Sequence, residues 1–244
     1  MSATTIRTSI DAAQAPARLR TWLIKANLFL ASILVTAFIF GFEAALVITY
    51  AVFVHEAGHV KAATWMNLRT KGVYFLPLIG AVAVSETPRS RGQEVVVQLM
   101  GPLFGLLSVV PLAAAAVMTG DPRWWHYAFL TAALNLFNLL PVGSLDGGQI
   151  LLAIAQSVGR RTTVALFGVG LGVGLVCAWT AQSWIMAAIF ALSAGVCAWS
   201  MRKAPRTTPR PLSRAGMAMS AIAYAGLFAA LSGTVGLTLS QYYA

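Results

Sequence analysis

The chain has 244 residues, of which only 24 are charged (17 Lys+Arg and 7 Asp+Glu), and 58 % are hydrophobic; its mean hydropathy is +0.75. A soluble domain carries about 25 % charged residues, so this chain lacks the polar groups to cover its own surface with water. That excludes an ordinary soluble enzyme, a disordered chain and, despite the net charge of +10, a nucleic-acid binder. The expected fold class is an all-α polytopic membrane protein in contact with the lipid bilayer.

Residues 1–21 are rich in Ser, Thr, Ala and Arg and read as a cytoplasmic N-terminal tail that is not cleaved. Runs of spanning length follow at 22–42, 44–66, 95–118, 124–140, 163–180, 183–201 and 215–237, which predicts about seven transmembrane helices. The third run is interrupted by Gly101-Pro102 and by Pro111. A shorter apolar stretch at 73–84 contains Pro77 and Gly80 and is too broken to span; it predicts a short re-entrant or β-like membrane loop. Residues 202–214, with Pro205, Pro209 and Pro211, read as a basic, non-helical cytoplasmic linker before a C-terminal membrane segment at 215–244. Cys177 and Cys197 lie in apolar runs and read as small buried side chains.

The basic residues orient these runs. With a cytoplasmic N-terminus, 16 of the 17 Lys and Arg residues fall inside and only Arg123 falls outside. The C-terminus is then outside, and the expected location is the inner cell membrane, multi-pass.

The second run, read as a helix over 44–66, contains His55-Glu56-Ala57-Gly58-His59. Residues four apart share a helix face, so His55 and His59 can hold one metal ion. Glu56 lies beside that face as a candidate catalytic base. The His-Glu-x-x-His pattern is the zinc-peptidase arrangement, in which the ion acidifies water and the carboxylate takes the proton. Ionisable groups in a span cost about 3 kcal/mol each, and a divalent cation is the partner that offsets them.

A zinc site needs a third protein ligand. His126, beside Arg123, Trp124 and Trp125, belongs to the outer boundary as an interfacial aromatic-belt residue. Asp11 is in the tail, Glu43 and Asp121 are outside, and Glu86 and Glu94 stand with Arg89 and Arg91 in what reads as a solvated loop. Asp146 remains, in the segment 138–148, where Pro141, Gly143, Gly147 and Gly148 break the helix and can return a carboxylate to the depth of His55 and His59. The competing reading of Asp146 is a turn aspartate that caps the next helix. Asn138 is the candidate oxyanion or substrate contact, with an interhelical hydrogen bond as its alternative; Asn135, three residues earlier, reads as a packing residue.

HEAGH at 55–59 and NLLPVGSLDGG at 138–148 together resemble the site-2 protease family of intramembrane zinc metalloproteases. Residues 75–80 are similar to that family's membrane loop, and Gly101-Pro102 to its third core helix. The resemblance covers roughly residues 44–157 and implies a catalytic core over 22–157, followed by an additional hairpin at 163–201. It implies one Zn²⁺ held by His55, His59 and Asp146, with Glu56 as base. Its substrates would be single-span or membrane-tethered proteins. No PDZ-like insert or nucleotide-sensing domain is evident, as in the compact bacterial members. A membrane metal transporter and an inactive scaffold are the rival functions.

Overall fold

A computed structural model describes residues 27–76, 80–180 and 209–244, with scattered positions between 182 and 199. The expected tail, the start of the first apolar run and residues 202–208 of the 202–214 linker lie outside the described residues. The described residues are helical apart from one β-hairpin and the connecting turns. Helix α1 (Asn27–Phe40) stops at Gly41, whose φ of 87° is open to glycine, and α2 (Phe42–Trp65) starts at once. The hairpin follows, with β1 (Thr70–Leu76) antiparallel to β2 (Gly80–Ser85) and Tyr74 opposite Val82. Residues 73–76 and 80–84 of the short apolar stretch therefore lie in paired strands, which satisfy backbone polar groups without a helix, and residues 77–79 lie outside the described residues.

Helix α3 (Arg91–Thr119) runs unbroken through Pro102 and Pro111. Its start is written locally. Ser90 accepts the Gln93 amide (3.2 Å), and the Gln93 side chain accepts from Arg89 N (2.9 Å), a reciprocal cap of the Ser-x-x-Gln type. Glu94 is consequently in the first helical turn, ion-paired to Arg91 at 2.6 Å, and not in a solvated loop. Gly120, with φ 68°, ends the helix in the left-handed conformation. Helices α4 (Arg123–Asn138), α5 (Asp146–Val158), α6 (Arg160–Thr180) and α7 (Arg214–Tyr243) complete the ordered succession.

Among the described residues, three helices, α3, α6 and α7, are long and apolar enough to cross a membrane. Helix α2 has the length (24 residues), but His55, Glu56, His59 and Lys61 dilute its hydropathy. Helix α4 has only 16 residues, short of the about 20 needed for a perpendicular span.

Helix α3 packs against α2, α4 and α5, and α7 packs on α4, α3 and α5. The main buried cluster joins Val95, Leu139, Ile150, Ala153 and Leu231, one or more from each of α3, α5, α7 and the end of α4. A second, Val142, Ala178 and Phe190, ties the turn after α4 to α6 and to the helical position beyond it. The described end of the basic linker is docked rather than loose. Arg91 N donates to Arg210 O (2.9 Å), Arg210 N donates to Arg89 O (3.0 Å), and Leu212 N donates to Ser157 Oγ (3.0 Å). Ser213 then caps α7 by accepting from Gly216 N (3.0 Å).

Candidate metal centre

His55 and His59 stand one helical turn apart on α2, on the face buried against α3 and α4, and both are buried, as is Glu56 between them. The approach of α3 is close because two glycines line the contact. A Cβ at Gly58 would strike the Met100 carbonyl, and one at Gly101 would strike the His59 imidazole. Asp146 arrives from the other side as the first residue of α5. It is presented by a turn in which Leu145 N donates to Val142 O (3.0 Å) and Gly143 adopts φ 49°. The cap position of α5 is Leu145, with no side-chain cap bond, so Asp146 is not the capping aspartate of the competing reading.

The hydrogen bonds decide which atoms face inward. Asn135 Nδ2 donates to Thr131 O (2.8 Å), which leaves Asn135 Oδ1 as acceptor for His55 Nδ1 (2.8 Å). Val97 O, which can only accept, receives His59 Nδ1 (2.8 Å). Both Nδ1 atoms therefore carry the protons, and in the neutral imidazoles both Nε2 atoms present bare lone pairs. These lone pairs and Asp146 Oδ2 converge. The separations are 3.0 Å between the two Nε2 atoms, 3.1 Å from His55 Nε2 to Oδ2 and 3.4 Å from His59 Nε2 to Oδ2. Asp146 Oδ2 is buried with no hydrogen-bond donor.

Three buried acceptors facing one another repel unless a cation lies among them. Ligand bonds of about 2.0–2.2 Å at tetrahedral angles set ligand atoms about 3.3 Å apart, and the three observed separations bracket that value. The donor set of two imidazoles and one carboxylate, each imidazole anchored through its second nitrogen, fits a divalent cation such as zinc.

The other acids are engaged elsewhere. Arg91 takes Glu94, Arg69 lies 3.9 Å from Glu86, Tyr127 Oη donates to Glu43 (2.6 Å), and Arg123 takes Asp121 at 2.7 Å. Asp11 lies outside the described residues. His126 packs against Tyr242, with ring centroids 5.1 Å apart, in an aromatic group with Tyr127 and Phe129. Asn138 donates within its own helix, to Leu134 O (3.2 Å). The asparagine held against the cluster is Asn135, fully buried on Gly105, which the sequence reading assigned to packing. A Cβ at Gly105 would occupy the Asn135 amide, so Gly105 and Asn135 form a fitted pair.

A helical membrane-type protein with a His-Glu-x-x-His helix and a returning aspartate defines a class of metal-dependent peptidase. The family model of peptidase family M50 matches residues 43–122 and 113–181, more than half of the chain, and the chain belongs to that family. The match carries α6 into the family segment, beyond the 44–157 covered by the motif resemblance, and leaves α7 outside it. Stage IV sporulation protein FB of Bacillus subtilis is 32 % identical over 119 residues, 46 % of this chain and 40 % of that protein. A zinc metalloprotease of Methanocaldococcus jannaschii is 28 % identical over 109 residues, 43 % of this chain and 32 % of that protein. The matches thus span at most two-fifths of the length of these curated relatives.

Proposed function

We propose that the protein is a zinc-dependent endopeptidase that cleaves membrane-tethered proteins within their transmembrane segments, near the cytoplasmic side of the bilayer. The observation that carries this reading is the convergence of His55 Nε2, His59 Nε2 and Asp146 Oδ2, three ligand atoms on buried residues, next to the buried Glu56. The family membership and the naming of a relative as a zinc metalloprotease support the choice of metal and reaction.

His55, His59 and Asp146 would hold the zinc. Bound there, it supplies a Lewis acid that polarises a carbonyl oxygen and acidifies water. The Glu56 carboxylate accepts the proton of the attacking water as its oxygen bonds to the peptide carbon. It then passes that proton to the amide nitrogen as the C–N bond breaks. Asn135 and Val97 keep the imidazoles in the tautomer that leaves Nε2 free. Asn138 is assigned the substrate or oxyanion contact through its side-chain amide: Nδ2 carries two hydrogens, of which Leu134 O takes one, and the second can donate to an oxyanion.

The topology consistent with this reading has seven spans, a cytoplasmic N-terminus and an outer C-terminus in the inner membrane. Arg91 and Arg123 flank α3, whose 29 residues extend about 43 Å, which suits the sorting of all other basic residues to one face. His59 lies six residues before Trp65, the last residue of α2, or about 9 Å of helix, a short path for water from that face. The substrate helix must unwind locally to expose a scissile amide. The β1–β2 hairpin is the element suited to pair with the extended strand.

The test is metal removal from the detergent-purified full chain. Stripping with a zinc chelator is expected to abolish cleavage of a single-span reporter, and one equivalent of Zn²⁺ to restore it. Cleavage that persists at full rate in the metal-free protein sinks the proposal. Asn135→Ala removes the acceptor for His55 Nδ1, frees that ring to rotate and leaves a buried N–H without a partner. Zinc affinity is expected to fall about 10- to 100-fold, measured by competition with a chromophoric chelator.

A further inference from the structure

We propose that Tyr224, on the C-terminal helix α7 and outside the segment matched by the family model, is a positioning residue for the metal ligand Asp146. The Tyr224 hydroxyl donates to the carbonyl of Leu139 (2.8 Å), across 85 residues of sequence. Leu139 closes α4: its own N–H bonds back to Asn135 O and Leu136 O, and the helix ends there. Its carbonyl is one of the orphan acceptors of a helix C-terminus, with no further turn to supply a donor. Leu139 is fully buried, so water does not replace that donor readily.

The same carbonyl oxygen is the atom that a Cβ on Gly147 would strike first, ahead of Leu140 O. Leu139 O is therefore wedged between the Tyr224 hydroxyl on one side and the backbone of the residue following Asp146 on the other. Whatever fixes Leu139 O fixes the seat of the first turn of α5, and with it the direction of the Asp146 carboxylate. Within the turn, Val142 N donates to Leu140 O, Leu145 N to Val142 O and the Gln149 side chain to Gly143 O, and Val142 packs on Ala178 and Phe190. The Tyr224 hydroxyl refers the start of this turn to α7 by a hydrogen bond.

Helix α7 is itself anchored. The 209–213 strap pairs with the start of α3 and with Ser157 at the end of α5, and Leu231 sits in the main buried cluster. The C-terminal helix thus transmits a fixed reference from the first turn of α3 to the ligand turn. A ligand displaced by even a fraction of an ångström lowers metal affinity and distorts the coordination geometry, as loss of an outer partner does at other metal sites.

The inference rests on Asp146 being a metal ligand, and the test separates the two. Full-length wild type, Tyr224→Phe and Phe228→Leu are purified in detergent. Phe228 packs beside Tyr224 on the same helix, with ring centroids 6.2 Å apart, and touches the same cluster without hydrogen-bonding the turn. Zinc affinity, the visible spectrum after Co²⁺ substitution, thermal unfolding and reporter cleavage are measured for each. Tyr224→Phe is expected to weaken zinc binding about tenfold, to shift the Co²⁺ bands and to lower kcat with KM unchanged. Phe228→Leu is expected to lower the unfolding temperature while leaving the affinity and the Co²⁺ bands as in wild type. Wild-type zinc affinity and Co²⁺ bands in Tyr224→Phe overturn the positioning role. So do equal losses in both variants, which mark general packing. A wild type that binds no metal overturns the metal-site reading itself, and the positioning role with it.

Discussion

Replacing Glu56 with Gln is expected to leave one zinc per chain in place and to lower reporter cleavage by about 10²- to 10⁴-fold. The two halves of this result have separate causes. The ligand atoms that converge are His55 Nε2, His59 Nε2 and Asp146 Oδ2, and Glu56 is not among them. Gln has the same shape and keeps an oxygen, so the ring positions set by Asn135 and Val97 need not change. The amide, however, cannot accept a proton from water or return one to the leaving nitrogen. Glu56 is buried, and a neutral amide costs less to bury than a carboxylate, so no loss of folding stability is expected to mask the catalytic one. Metal analysis, thermal unfolding and cleavage of the reporter on the same preparation check all three. Undiminished cleavage would remove the peptidase mechanism. Transmembrane metal flux that survives the substitution at the wild-type rate would point to transport.

What the sequence made legible follows from how local each feature is. The pairing of His55 with His59 depends only on the helical repeat, and it needed nothing beyond the neighbouring residues. Asp146 was reachable because acids are so scarce: with seven in the chain, placing each by depth left one. The choice between Asn135 and Asn138 was not legible. They lie three apart and share a general face, and which one meets His55 depends on the rotation of α4 about its own axis. That rotation is set by the seating of Asn135 on Gly105, a contact between two helices. The Glu94 misreading was avoidable, because Ser90-x-x-Gln93 marks a helix start and puts Glu94 in its first turn. The docking of Arg210 beside Arg89 joins residues far apart in the chain through backbone atoms, and the Tyr224 hydroxyl meets a backbone carbonyl at Leu139; a backbone partner carries no residue-type signature.

Gly101→Ala is expected to empty the metal centre while leaving the helices formed. Most glycine-to-alanine changes inside a helix stabilise it, by about 0.5–1 kcal/mol. Gly168 and Gly172, on α6 with open space around the missing Cβ, are the positions where that gain should appear. At Gly101 the added carbon runs into Cε1 and Nε2 of His59 and comes to 3.0 Å from His55 Cε1. The His59 ring has little room to yield, since its Nδ1 is bonded to Val97 O on the same helix that carries the intruding methyl. Moving the ring sacrifices that bond and the facing of Nε2 toward Asp146. Separating α2 from α3 instead opens the contact at Gly58 and Met100. Overpacking of this kind costs about 1–3 kcal/mol, more than the propensity gain, and its strain falls on the two ligands. Zinc content is therefore expected to drop at least about tenfold with cleavage lost in proportion, while circular dichroism stays helical and Gly168→Ala retains both metal and activity. A Gly101→Ala protein with full zinc and full activity would show that the imidazoles do not pack on α3 as described.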